Sequence, residues 1–207
     1  MKSPGWFPGP DDTPVGPQEW MRRRLLERRV VTLVGPLDDS GASDVGAALM
    51  TLDADGDDAV ELRMDSPGGS TTAALALMDI IDLLGVAVHG WCTGQVAGAA
   101  VGVLAVCHER TLSPHARIHL TEPRSRFGGD ARFLEQQAAE HAEQWAMFCR
   151  RLAETTGRTA EQIGQDARRG RFLTAGEAVA YGLVDRIATP GGPGGGLQPH
   201  ALGFRPR

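Results

Sequence analysis

Aromatic side chains make up only 5% of the 207 residues, and the three cysteines, Cys92, Cys107 and Cys149, form no Cys-x-x-Cys pair. An odd, widely spaced set excludes a disulfide scaffold and offers no zinc pattern, so reduced buried thiols are expected, with no metal and no other cofactor. Positive charge is also short: 21 Lys and Arg stand against 26 Asp and Glu, a formal charge of −5. Phosphate backbones demand concentrated Lys and Arg, so no nucleic-acid partner is expected. The opening MKSPGWFPGPDD breaks with Pro, Gly and Asp the apolar run that a secretion signal requires, and a cytoplasmic location is expected by default. One uncharged stretch, Leu83–Cys107, runs 25 residues, but glycines at 85, 90, 94, 98 and 102 divide it. It reads as a strand and a buried small-residue helix, not a membrane span.

Proline is sparse in the middle of the chain, with four in residues 19–189, against five (and three Gly) in 1–18 and four (and six Gly) in 190–207. The ends read as flexible arms around one folded domain over 19–189. Within it, Val30–Val34 is continuously apolar or β-branched, as in a strand covered on both faces. Asp38, Asp39, Ser40 and Ser43 offer caps for a helix ending near Leu52. Ala59–Met64 alternates apolar and polar residues, SPGG follows, and Ser70–Leu84 carries a helical stripe closed by Gly85. Val86–Cys92 and Gln95–Ala105 predict a third strand and helix, and Arg117–Thr121 a further strand bounded by Pro114 and Pro123. Strands alternating with helices imply a sheet with helical crossovers.

Ala131–Thr156 is the longest helix candidate, with Leu134, Ala138, His141, Trp145, Phe148 and Leu152 on one stripe and Gly157 as its stop. Thr159 with Gln162, and Thr174 with Glu177, fit the capping box, which starts two short helices. Leu183–Ile187 closes the domain as a strand.

The segments RLLERRVVTL, DSPGGSTTA, CTGQVAGAA and RFLTAGEAVAYGLVDRI occur in the order and spacing of one family. From about Arg24 to Ile187, with a two-residue deletion between Ala105 and Pro114, the chain resembles the Clp protease proteolytic subunit. The resemblance implies an α/β spiral of repeated strand-helix units, of the Clp peptidase and crotonase type, forming a head with a long handle helix. It also implies a serine peptidase in stacked seven-membered rings, fed by a ring-shaped ATPase.

The family's nucleophile lies in a Gly-Gln-x-x-Ser turn, which here reads Gly94-Gln95-Val96-Ala97-Gly98. Its general base is a His two residues before Pro, a position held here by Thr121; its orienting Asp corresponds to Gly170. Glycine forms no acyl-enzyme, and a threonine hydroxyl takes no proton at neutral pH. His119 is on the same strand face as Thr121 but is displaced by about 6 to 7 Å, beyond proton-transfer reach. The resemblance thus implies a non-catalytic subunit, acting in its own barrel or in mixed rings with active paralogues. Two other readings stand beside it: a hydrolase using other residues, and a crotonase-like acyl-group enzyme relying on backbone oxyanion donors.

SPGG is intact, and with it Gly68, Gly69 and Ala99 as candidate oxyanion and peptide-binding positions; a tight strand-to-helix turn explains the two glycines equally well. In the family, aromatic residues before SPGG line the cleft where ATPase loops dock. Glu61 and Arg63 stand there here, so ATPase docking is expected to be impaired, unless this is an ordinary solvated face. Arg124–Asp130 corresponds to the strand, and Ala131–Arg151 to the helix, that interdigitate two rings. The basic run Arg22, Arg23, Arg24, Arg28 and Arg29 reads as a solvated helix face.

Overall fold

The structure, a computed structural model, describes residues 16–123 and 128–189; the two terminal arms expected from composition lie outside these, except that the first helix already begins at Pro17. Proline suits that first helical position because the helix needs no N–H there. This helix, α1 (Pro17–Leu26), has no buried residue, and Arg22, Arg23 and Arg24 form the solvated face expected, partly neutralised by Asp44 and Glu27; Arg28 and Arg29 instead lie beyond its end and are half-buried, Arg29 donating to the Gly56 carbonyl.

The following elements alternate: β1 (Val30–Val34), α2 (Asp39–Ala54), β2 (Val60–Ser66), α3 (Thr71–Leu83), β3 (Val88–Ala97), α4 (Ala100–Ala105), β4 (Glu109–Leu112) and β5 (Arg117–Leu120). Then come α5 (Ala131–Thr156), α6 (Ala160–Arg168), β6 (Arg171–Leu173), α7 (Ala175–Tyr181) and β7 (Arg186–Ile187). The sheet runs in the order β1-β2-β3-β4-β7, all parallel; β5 adds to the far half of β3, and β6 pairs antiparallel with β5. Side-chain caps start the helices where sequence placed them: Asp38 on α2, Ser70 on α3, and complete capping boxes at Thr159 and Thr174.

Several expectations change. β1 is an edge strand covered unevenly on its faces: Thr32 and Val34 face solvent, and only Val30, Val31 and Leu33 are buried. β3 continues through Gln95-Val96-Ala97, which the small-residue run had suggested was helix, and α4 shrinks to six residues. β4 was not anticipated; four residues containing Glu109 and Arg110 carry no period, and pairing with β3 and β7 makes the strand. The α5 stripe is buried only at its C-terminal end, where Trp145, Phe148, Cys149 and Leu152 pack; Leu134 and Ala138 are exposed. Of the strand expected at 124–130, residues 124–127 lie outside the described set and Asp130 serves as the α5 cap.

The core lies where α3, α4 and the last turns of α5 meet the sheet. Close approach needs a missing side chain: a Cβ at Gly102 would stand 2.4 Å from the ring of Phe148 and 2.7 Å from the sulfur of Met78. Arg151 ties α5 to Asp82 of α3 at 2.8 Å, outside this core. Phe148→Ala is expected to cost about 3 to 5 kcal/mol in urea unfolding, because the buried ring leaves a cavity that its neighbours cannot close.

At the other sheet edge, the carboxylate of Asp185 takes the Arg110 backbone N–H at 2.7 Å and Nε at 3.1 Å. Burial pulls the Asp185 pKa upward, but these Arg110 bonds outweigh it and the carboxyl is held below its usual range. A depressed carboxylate stabilises the fold above its unfolded pKa and loses that contribution as pH falls through the folded value. Asp185→Asn should therefore be less stable than wild type at pH 7, the gap narrowing below about pH 4 in pH-dependent thermal melts.

Candidate functional site

The site grows from a bend in β3. Met64 pairs with Cys92 but Ser66 with Val96, so β3 carries extra residues over this step. Asp65 occupies the gap: its carboxylate accepts the N–H of Gln95 at 2.9 Å, and a Cβ at Gly94 would come within 2.6 Å of it. Beyond the bend β3 leaves β4 and pairs with β5, Ala97 opposite His119. The Gly98 N–H then donates to the His119 carbonyl at 3.0 Å as the chain turns into α4.

This brings Gly98 against Thr121. The nearest atoms to a Cβ built on Gly98 are Thr121 Cγ2 at 3.6 Å and Gly68 Cα and the Thr121 carbonyl oxygen at 3.8 Å, so the threonine presents its methyl and a Cβ there would make ordinary contacts. Gly170 arrives by the β5–β6 ladder, whose last pair is Leu120 with Arg171; Thr121 and Gly170 stand one step beyond it. A Cβ on Gly170 would approach His119 Nε2 to 3.6 Å. His119 is itself stacked on Phe172, ring centroids 3.7 Å apart and planes 9° off parallel, which turns the imidazole toward Gly170.

The SPGG turn closes the other wall. Leu37 N–H donates to the Gly68 carbonyl, and Ser70 N–H to the Leu37 carbonyl. The Gly68 N–H bonds Ser66 Oγ at 3.2 Å. Gly69 and Ala99, but not Gly68, line a cleft of about 800 Å³ with Gly98, His119 and Thr121. α5 forms its outer wall: Thr72 of α3 donates to Gln144 Oε1 at 2.9 Å, and Gln144 Nε2 donates to Glu140 at 2.9 Å. Neither Asp65 nor this α3–α5 bridge was found by sequence reasoning. The Asp directly before SPGG was a visible signal; the bridge joins residues 72 positions apart and had none.

No thiol replaces a hydroxyl here. Burial, with the Asp65 charge adding, pushes Cys92 up to about 12; burial alone dominates for Cys107, up to about 12, and Cys149, up to about 11. Thiols so raised are not thiolates at neutral pH. No group of three His, Cys, Asp or Glu that could hold a metal occurs among the described residues, and none of the described helices is long and apolar enough to cross a membrane.

Compared with known proteins, residues 18–191 match the family model described as Clp protease. The chain belongs to that family. It is 38% identical over 168 residues to ATP-dependent Clp protease proteolytic subunit 1 of Corynebacterium glutamicum, covering 79% of this chain and 81% of the relative. It is 38% identical over 180 residues to proteolytic subunit 4 of Rhodococcus jostii, covering 84% and 92%. Subunit 1 of Corynebacterium diphtheriae is 36% identical over 168 residues, covering 79% and 80%.

On this Clp protease fold, Glu61 and Arg63 lie on the open face of β2 as a half-buried ion pair. The Arg63 guanidinium also sits 5.4 Å from the ring centre of Trp91 on β3, whose indole N–H is bonded to Ser113 Oγ. The face is thus polar and internally paired.

The two glycines of SPGG are sterically required whether or not they bind anything. A Cβ on Gly69, at φ +158°, would stand 2.1 Å from the Leu37 carbonyl oxygen, and the backbone there has no side chain to move aside. Gly69→Ala should break the Leu37 bridge and cost about 3 kcal/mol, measured by urea unfolding.

Proposed function

We propose that this chain is a non-catalytic subunit of a Clp-type barrel, contributing structure or regulation rather than peptide cleavage. The observation that carries the reading is Gly98 itself, which bears neither a hydroxyl nor a thiol and faces the methyl of Thr121. Acyl transfer through a covalent intermediate needs a nucleophile with a proton acceptor beside it. Gly98, Thr121 and Gly170 supply neither these nor an orienting carboxylate, and the imidazole of His119 is engaged by Phe172. Gly69 and Ala99 remain as backbone donors that could hold a carbonyl oxygen without cleavage.

The assembly half of the proposal rests on α5. Its first fourteen residues, 131–144, include no buried side chain, and Phe133 and Leu134 are exposed. An amphipathic helix left open in this way fits contact with other subunits, either copies of this chain or triad-bearing paralogues. Docking of a Clp ATPase through the β2 face is expected to be weak, because Glu61 and Arg63 offer a paired charge where an apolar anchor would bury. A cytoplasmic location belongs to the same proposal.

A fluorophosphonate probe and a fluorogenic peptide, applied to the purified chain, should give no labelling and no turnover above buffer; labelling of this chain would overturn the non-catalytic reading. Native mass spectrometry of the chain alone and coexpressed with a serine-bearing relative should show a ring-sized assembly in at least one case. A monomer in both would overturn the subunit reading.

A further inference from the structure

Two carboxylates border the cleft and no cation answers them. Glu122 follows the end of β5, and Glu140 stands on α5, so the charges come from two separate elements. Neither Lys nor Arg is among the described residues that line the space; the basic groups there are the imidazoles of His119 and His141. α5 turns Gln137, Glu140, His141 and Gln144 into the cleft, at the i, i+3, i+4, i+7 spacing of one helix face. The Thr72 hydroxyl donates to Gln144, whose amide N–H donates to Glu140 Oε1. The remainder of that carboxylate, and the whole carboxylate of half-buried Glu122, has no hydrogen bond or ion pair among the described residues. Desolvating an unpaired carboxylate costs free energy and two that share a space repel, so a ligand cation relieves both.

The rest of the lining narrows the kind of cation. No three His, Cys, Asp or Glu side chains among the described residues come together as a metal site, so the two carboxylates suit an organic cation. A second observation is independent of the charges. His119 lines the cleft and pairs across the β5–β6 ladder with Phe172, so the floor continues onto that ring. Phe172 is 60% exposed, yet its face is fixed by the stack on His119, a flat apolar surface beside a charged space. Gln95, Gln137 and the backbone at Gly69 and Ala99 add donors and acceptors suited to peptide groups. A peptide with a cationic side chain and an apolar neighbour meets all three features; a free amine meets one.

We propose that the cleft binds an extended peptide through a Lys or Arg side chain directed at Glu122 and Glu140. The inference rests on the non-catalytic reading, since the peptide is retained and not turned over.

The test uses the full chain and two capped peptides, acetyl-Ala-Ala-Arg-Phe-Ala-amide and the same peptide with citrulline, which keeps the shape of arginine without its charge. Calorimetric titration is run at about 0.15 M salt, where attraction beyond about 8 Å is screened. The arginine peptide should bind about ten-fold tighter than the citrulline peptide. Glu122→Gln and Glu140→Gln should each reduce that preference to about three-fold and together abolish it. Neither should lower the melting temperature, because Glu122 has no partner to lose and glutamine at 140 keeps an oxygen for Gln144. Asp79→Asn removes an exposed carboxylate of α3 that does not line the cleft, and should leave the preference intact. Equal affinity for the two peptides, no saturation by the arginine peptide at about 1 mM, or a double variant that keeps the ten-fold preference would each overturn the proposal. So would a loss from Asp79→Asn as large as that from Glu122→Gln, the mark of attraction by net charge alone. Mass spectrometry of the recovered peptides separates the two readings: cleavage would overturn the non-catalytic proposal, whereas intact peptides with no arginine preference would overturn this inference alone.

Discussion

The carboxylate of Asp65 holds the bend of β3, and the meeting of Gly98 with Thr121 in the cleft depends on that bend. The Gln95 N–H bond to this carboxylate sits at the step where β3 parts from β4 and takes up β5. It is that exchange of partners that sets Gly98 under the His119 carbonyl and against Thr121. The requirement reaches back into the sequence at Gly94, where any Cβ would collide with the same carboxylate. Asp65 is therefore a fold determinant, positioned one residue before the buried Ser66 that anchors the SPGG turn.

The second organising element is the division of α5. Its C-terminal half is part of the core, fixed by Phe148 against Gly102, by Arg151 on Asp82 and by Thr155 on the Ala105 carbonyl. Its N-terminal half touches the domain through Gln144 and Thr72, at the cleft rim. Any partner that seats on the open half of this helix therefore also bears on the cleft, because one continuous helix carries both contacts.

Much of the fold was legible because the signals were local. Capping boxes at Thr159 and Thr174, Gly157 as a left-handed stop and the bounds of the 131–156 helix each depend on residues within one or two turns, and each appears at its expected place. What failed depended on distant partners. The run from Gln95 to Ala97 has small residues that favour a buried helix, and only the parallel neighbours β2 and β5 make it strand. Val30–Val34 looked doubly buried because β-branched residues also suit an edge strand, and nothing within five residues states which side lacks a neighbour. Glycine at 98 and 170 and threonine at 121 were found by comparison with a family pattern; their meeting in space depends on β5–β6 pairing, which the sequence does not state locally.

Glycine at positions 98 and 170 has an energetic side. Both backbones lie in the left-handed region, at φ +49° and +65°. An L side chain in that conformation costs roughly 1 to 2 kcal/mol. A glycine at each position avoids that strain, against the larger backbone entropy that glycine gives up on folding.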